Sequence, residues 1–199
     1  FSLSHPLFFA EMDKTLADTP ITTWQAYLRW NLIGTAAPYL SKQFVEADFD
    51  FGGRTLRGAK ELRPRWKRVI DSVNGNLGEA LGELFVAKTF PPEAKAQMLE
   101  LVGNLQQALK ARLMKLDWMS DATKKEAMAK FETFTPKIGY PDKWRDYSAL
   151  EIKRQHYWHN VRAGVAFESA RQFAQIGQPV DRAEWGMLPQ TVNAYYNPL

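Results

Sequence analysis

Apolar residues recur along this chain at helical rather than strand spacing. In "TTWQAYLRWNLIG", Trp24, Tyr27, Leu28 and Leu32 fall at i, i+3, i+4 and i+8, the stripe of an amphipathic helix. Thr22 or Thr23 is the expected N-cap and Gly34 the expected stop. A second helix restarts in "APYLSKQFVEADF" at Pro38, a residue tolerated in a first turn. "FGGRTLRG" reads as a loop, with Gly52 and Gly53 freeing the backbone. The stretch "KELRPRWKRVIDSVNGNLGEALGELFVAKTF" reads as one interrupted helix or two, with Pro64 near its start and Gly75 and Gly78 weakening its middle.

Pro91-Pro92 break the pattern. After them Met98, Val102, Leu105, Leu109 and Leu113 form one apolar stripe, broadened by Leu101 and Leu116. At its rise per residue such a helix runs roughly 35 Å, long enough to organise a lobe. "MSDATKKEAMAKFETF" predicts a further helix, capped by Ser120, with Asp121 favourably placed in the first turn. Ala127, Met128, Phe131 and Phe134 are its expected core face. "TPKIGYPDKWRDYSAL" has two prolines, a glycine and clustered aromatics, the composition of an ordered loop rather than a flexible linker. The lobe boundary is expected here, dividing residues 1–135 from 136–199. A long helix is then expected from about Lys153 to Ile176, with Trp158, Val161, Val165, Phe173 and Ile176 on one face. Gly177 is its natural C′ residue and Pro179 follows. Asp181 caps a short turn. Finally "QTVNAYY" switches to period two and to strand-favouring residues, ahead of a turn at Asn197-Pro198. The expected class is mainly α: a multi-helix lobe with long amphipathic helices and one terminal β-strand.

Composition narrows the picture. Of 199 residues, 45% are hydrophobic and 24% charged, ordinary for a globular chain and not for a disordered one. The net charge of +4 is too weak to indicate nucleic acid, because acidic residues are interspersed with the basic ones. No apolar run is long enough to span a membrane, and no charged segment leads into an apolar one as in a signal peptide. Cysteine is absent, which removes disulfides, thiolate metal sites and cysteine nucleophiles.

Candidate chemistry is sparse. His156 and His159 in "HYWH" stand i, i+3 on a helix with no carboxylate between them; zinc proteases of the H-E-x-x-H type need i, i+4 and a glutamate, so a structural or exposed role is preferred. No G-x-S-x-G elbow occurs, and "FGGRTLRGAK" has neither Walker nor dinucleotide spacing. Glu79 and Glu83 stand i, i+4, as on many solvated helices. In "RPRWKR", Arg63, Arg65, Lys67 and Arg68 surround Trp66. Trp66 is expected to join Val69 and Ile70 toward the core while the cations fan out as a solvated face; a phosphate-gripping patch is the alternative.

Four phrases carry more weight together than any motif alone: "WQAYLRWNLI", "RPRWKRVIDSVNGNLGEALGELFVAKTFPPEAK", "WMSDATKKEAMAKFETFTPKIGYPDKW" and "PVDRAEWGMLPQTVNAYYNP". They resemble, in order and over nearly the whole chain, the neprilysin and endothelin-converting-enzyme family of zinc metallopeptidases, most closely its bacterial secreted members. The resemblance implies an enzyme of two helical lobes enclosing a chamber, cleaving peptides on the amino side of hydrophobic residues, in a periplasmic or extracellular setting. Its zinc ligands are the two histidines of H-E-x-x-H and a later glutamate, all downstream of N-A-Y-Y and none present in this sequence. The chain is therefore expected to be an internal piece of such an enzyme, without catalytic zinc or activity of its own. The family's Asn-Ala pair, which holds the main chain of a bound peptide, matches Asn193 and Ala194. The chemistry is compatible: an edge strand accepts an extended peptide, Asn193 both donates and accepts, and Ala194 lets a backbone approach. Lobe faces left uncovered favour self-association. The competing reading is a stand-alone, non-catalytic helical interaction module; nucleic-acid binding through "RPRWKR" ranks last.

Overall fold

The computed structural model describes residues 3–197, and the chain is mainly helical. Among the described residues seven α-helices follow in order: α1 (Pro6–Asp18), α2 (Ile21–Ala36), α3 (Lys42–Asp48), α4 (Arg65–Thr89), α5 (Pro92–Met114), α6 (Asp121–Phe131) and α7 (Tyr157–Ala174). They belong to two compact units. One comprises the chain up to Pro64 together with Ile152–Arg162; the other comprises Arg65–Glu151 and the chain from Ala163 onward.

In the first unit, α1 lies in a stretch for which the sequence reading gave no helix; Pro6 opens its first turn, where a missing N–H costs nothing. α2 starts two residues early, after Pro20, and runs through Gly34 to Ala36. The Gly34 stop is thus corrected: the residue after it continues the turn, and a lone glycine costs a helix only about 1 kcal/mol. A 3-10 turn over Ala37–Tyr39 carries the expected Pro38. The stretch expected to be a glycine loop is instead a π-helical turn, Phe49–Thr55. Gly53 lets the Phe49 ring lie against the backbone there, and Thr55 Oγ1 donates to the Asp50 carbonyl at 2.9 Å. Tyr39 packs edge-on to Tyr157 and stacks on Trp158, with centroids 5.4 and 5.8 Å apart.

In the second unit, α4 is one element with a non-helical residue, Leu77 (φ −134°, ψ 33°), inside it. The interruption falls between the two glycines expected to weaken the middle. α5 is the expected long helix, opened by Pro92. α6 is capped as expected, Ser120 Oγ accepting from Thr123 N–H at 3.2 Å, and packs on α5 with Lys110 bonded to Glu132 at 2.7 Å. The loop from Glu132 to Glu151 is ordered by its aromatics: Tyr140 stacks on Trp144 and meets Phe90 edge-on. Gly139 (φ +75°) is needed for this, since a Cβ there would lie 2.6 Å from the Phe90 ring. α7 is shorter than expected at both ends, and Gly177 (φ +78°) follows it.

The terminal strand does not form. Residues 192–197 have no regular structure, and no strand occurs among the described residues. Period-two spacing and β-branched or aromatic residues make a strand only where a second strand takes up the backbone groups. Here the Asn193 N–H turns back to the Thr191 carbonyl at 3.1 Å instead. Pro198 of the expected turn lies outside the described residues.

Candidate functional site

The segment around Asn193 and Ala194 is placed by what precedes it. Gly78 and Gly82, one turn apart on α4, leave that face without side chains. Leu188 lies over Gly78, where a Cβ would come within 2.5 Å of its Cδ1, and Pro189 and Gln190 lie over Gly82. Gln190 Nε2 donates to Asn74 Oδ1 at 2.8 Å and to the Gly78 carbonyl at 3.0 Å. Gln190 Oε1 is buried and has no hydrogen-bond partner among the described residues.

Beyond this anchor the backbone becomes exposed. Thr191 N–H closes a turn onto the Leu188 carbonyl at 3.0 Å. Asn193 Oδ1 accepts from Ala194 N–H at 2.8 Å, which leaves the carboxamide nitrogen of Asn193, with two donors, pointing to no partner among the described residues. Tyr195 O–H accepts from Gly186 N–H at 3.2 Å, and Tyr196 packs on Phe134 with centroids 5.8 Å apart. The two tyrosines tether the far side of the Asn-Ala step, and both remain largely exposed.

A run of ion pairs joins α4, the loop after α6, α7 and Glu184. Glu79 is only 7% exposed; its carboxylate meets Arg145 Nη2 at 3.0 Å and accepts from the Arg145 N–H at 2.8 Å. Arg145 reaches Glu168 on α7 at 3.0 Å. Arg171 bonds Glu168 at 2.7 Å and Glu184 at 2.6 Å, while Gln175 and Lys137 also bond Glu184, through its carboxylate and its carbonyl. Hydrogen bonds from Arg171 hold the Glu168 carboxyl below its ordinary value against the opposing effect of burial, and bonding to Glu168 raises Arg171. Glu79 is therefore not half of a solvated pair with Glu83: its partner comes from a loop 66 residues away in sequence. Gly78, Gly82, Leu188 and Gln190 were also missed. The signal for them was present, two glycines at i, i+4 on an otherwise good helix.

The other candidates are not brought together. His156 and His159 are both exposed, their rings 6.5 Å apart. No group of three His, Cys, Asp or Glu able to hold a metal occurs among the described residues. Trp66 is 62% exposed and Ile70 is exposed too: this corrects their expected core position, and Lys67 lies over the Trp66 ring at 5.4 Å.

Comparison with known proteins gives this geometry its setting. The family described as Peptidase family M13 matches residues 1–141. The chain belongs to this family. Neprilysin-2 of Drosophila melanogaster is 30% identical over the entire chain, which covers 28% of that protein. Human endothelin-converting enzyme 1 is 32% identical over 86% of the chain and 23% of its own length. The crystal structure of Mycobacterium tuberculosis zinc metalloprotease Zmp1 in complex with an inhibitor matches 94% of the chain and 28% of its own, with 46% identity and a TM-score of 0.84. PepO from Lactobacillus rhamnosis matches 92% of the chain with 29% identity and a TM-score of 0.81. The M13 chain thus spans under a third of the length of these relatives. No helix among the described residues is long and apolar enough to cross a membrane.

Proposed function

We propose that this chain is part of a neprilysin-like zinc metalloendopeptidase that hydrolyses peptides on the amino side of hydrophobic residues. Residues 1–135 belong to the lobe that encloses the chamber, and 136–199 lead toward the catalytic lobe. Asn193 and Ala194 hold the substrate's main chain. The carbonyls of both residues and the Asn193 carboxamide nitrogen are open to an extended peptide, whose carbonyl and N–H groups complement them. Zinc and the general base come from parts of the enzyme outside this chain, and the enzyme works in the periplasm or outside the cell.

The observation that carries this reading is the 46% identity and 0.84 TM-score, over 94% of the chain, to a zinc metalloprotease solved with an inhibitor. The kinetic test is Asn193→Ala in the full-length enzyme. Lost substrate hydrogen bonds worth about 1–3 kcal/mol lower kcat/KM on long peptides roughly 5- to 150-fold. An unchanged rate refutes the assigned role. The 199-residue chain alone is expected to bind no catalytic zinc and to cleave nothing; chelator-sensitive peptidase activity from it would overturn the division of labour.

A further inference from the structure

We propose that Gln190 is a positioning residue for peptide binding: its carboxamide, pinned to α4, fixes where Asn193 and Ala194 stand. The inference rests on the reading that those two residues hold the substrate's main chain. Gln190 Nε2 faces two acceptors, Asn74 Oδ1 at 2.8 Å and the Gly78 carbonyl at 3.0 Å. Its amide orientation follows, because the reverse would set oxygen against two oxygens. That orientation leaves Oε1 buried without a partner among the described residues, a cost that an apolar side chain in the same place would not incur.

What the carboxamide adds over an apolar residue is direction. Leu188 and Pro189 press on α4 through contacts that tolerate rotation and sliding. The two bonds of Gln190 fix both. α4 has no room for alternatives: a Cβ on Gly82 would lie 2.8 Å from Gln190 Oε1 and 3.1 Å from Pro189. From Thr191 to Ala194 the hydrogen bonds are all local, to Leu188, Thr191 and Asn193 itself. Gln190 is therefore the last tie to a helix before the Asn-Ala step, three residues on, and Tyr195 is the first tie after it.

The test uses full-length enzyme carrying Gln190→Leu, Asn193→Ala or both. Each is assayed on a long peptide and on a short substrate that ends too soon to run along residues 193–194. Gln190→Leu is expected to lower kcat/KM on the long peptide about tenfold, chiefly through KM. The short substrate changes less than about twofold. In the double variant the combined loss is smaller than the product of the two single losses, because part of what Gln190 positions, the Asn193 carboxamide, is already gone. Gly82→Ala, which displaces Oε1 without removing the carboxamide, reproduces the selective loss and carries the test if Gln190→Leu does not fold. Equal losses on both substrates, or fully additive losses in the double variant, overturn the proposal and reduce Gln190 to a stability role. If Asn193→Ala alone changes nothing, the main-chain reading fails instead, whatever Gln190 does.

Discussion

Arg145 shows how much of the local order depends on single side chains. It joins a nearly buried Glu79 to a half-buried Glu168. Arg145→Met keeps the volume but leaves Glu79 with only the backbone N–H as partner. The expected cost is about 3 kcal/mol in denaturant unfolding, because an unpaired buried carboxylate is far more expensive than a lost surface pair. A change under about 0.5 kcal/mol would show that water already shares the site. Neither this pair nor the seat of Gln190 could be read from the sequence, for the same physical reason. Periodicity reports which face of an element is apolar, while Glu79–Arg145 and Gln190–Asn74 join residues 66 and 116 positions apart. The role proposed for the Asn-Ala step rests on the family resemblance alone.

At the scale of elements, α4 receives the segment that follows α7. Gly78→Val should crowd Leu188 from its seat: the first atom of the new side chain lies 2.5 Å from Leu188 Cδ1. Overpacking of this kind costs about 1–3 kcal/mol, and loss of protease resistance at residues 186–196 would locate the damage there. α7 contributes a pH response. The folded state lowers the Glu168 carboxyl through its bonds to Arg171, so its stabilisation is complete above the ordinary carboxylate range and fades as the pH falls through the lowered value. Unfolding midpoints should drop more steeply below about pH 4 in the native chain than in Glu168→Gln; parallel curves would contradict this. The helices α4 to α7 were legible because their stripes, prolines and the Ser120 cap agree with one another. The π-helical turn was not, because Gly52-Gly53 permits a loop and a tight turn equally. The expected strand failed because a strand depends on its neighbour and its own sequence names none.

Over the molecule as a whole, apolar surface stands open. Leu28 is 62% and Leu105 61% exposed, so the long amphipathic stripes of α2 and α5 carry faces that a larger protein would cover. The isolated chain should self-associate; sedimentation showing a monodisperse monomer at tens of micromolar would argue that the faces are less adhesive than their area implies. The central claim is that the exposed Asn-Ala step, anchored on α4, is where a peptide lies. Its most direct test is a structure of the full-length enzyme with a non-cleavable peptide bound. The account predicts that the peptide's main chain hydrogen-bonds the carbonyls of residues 193 and 194 and the Asn193 carboxamide, with Gln190 still bonded to Asn74 and Gly78. A peptide bound in the enzyme without touching Asn193 or Ala194 would contradict it.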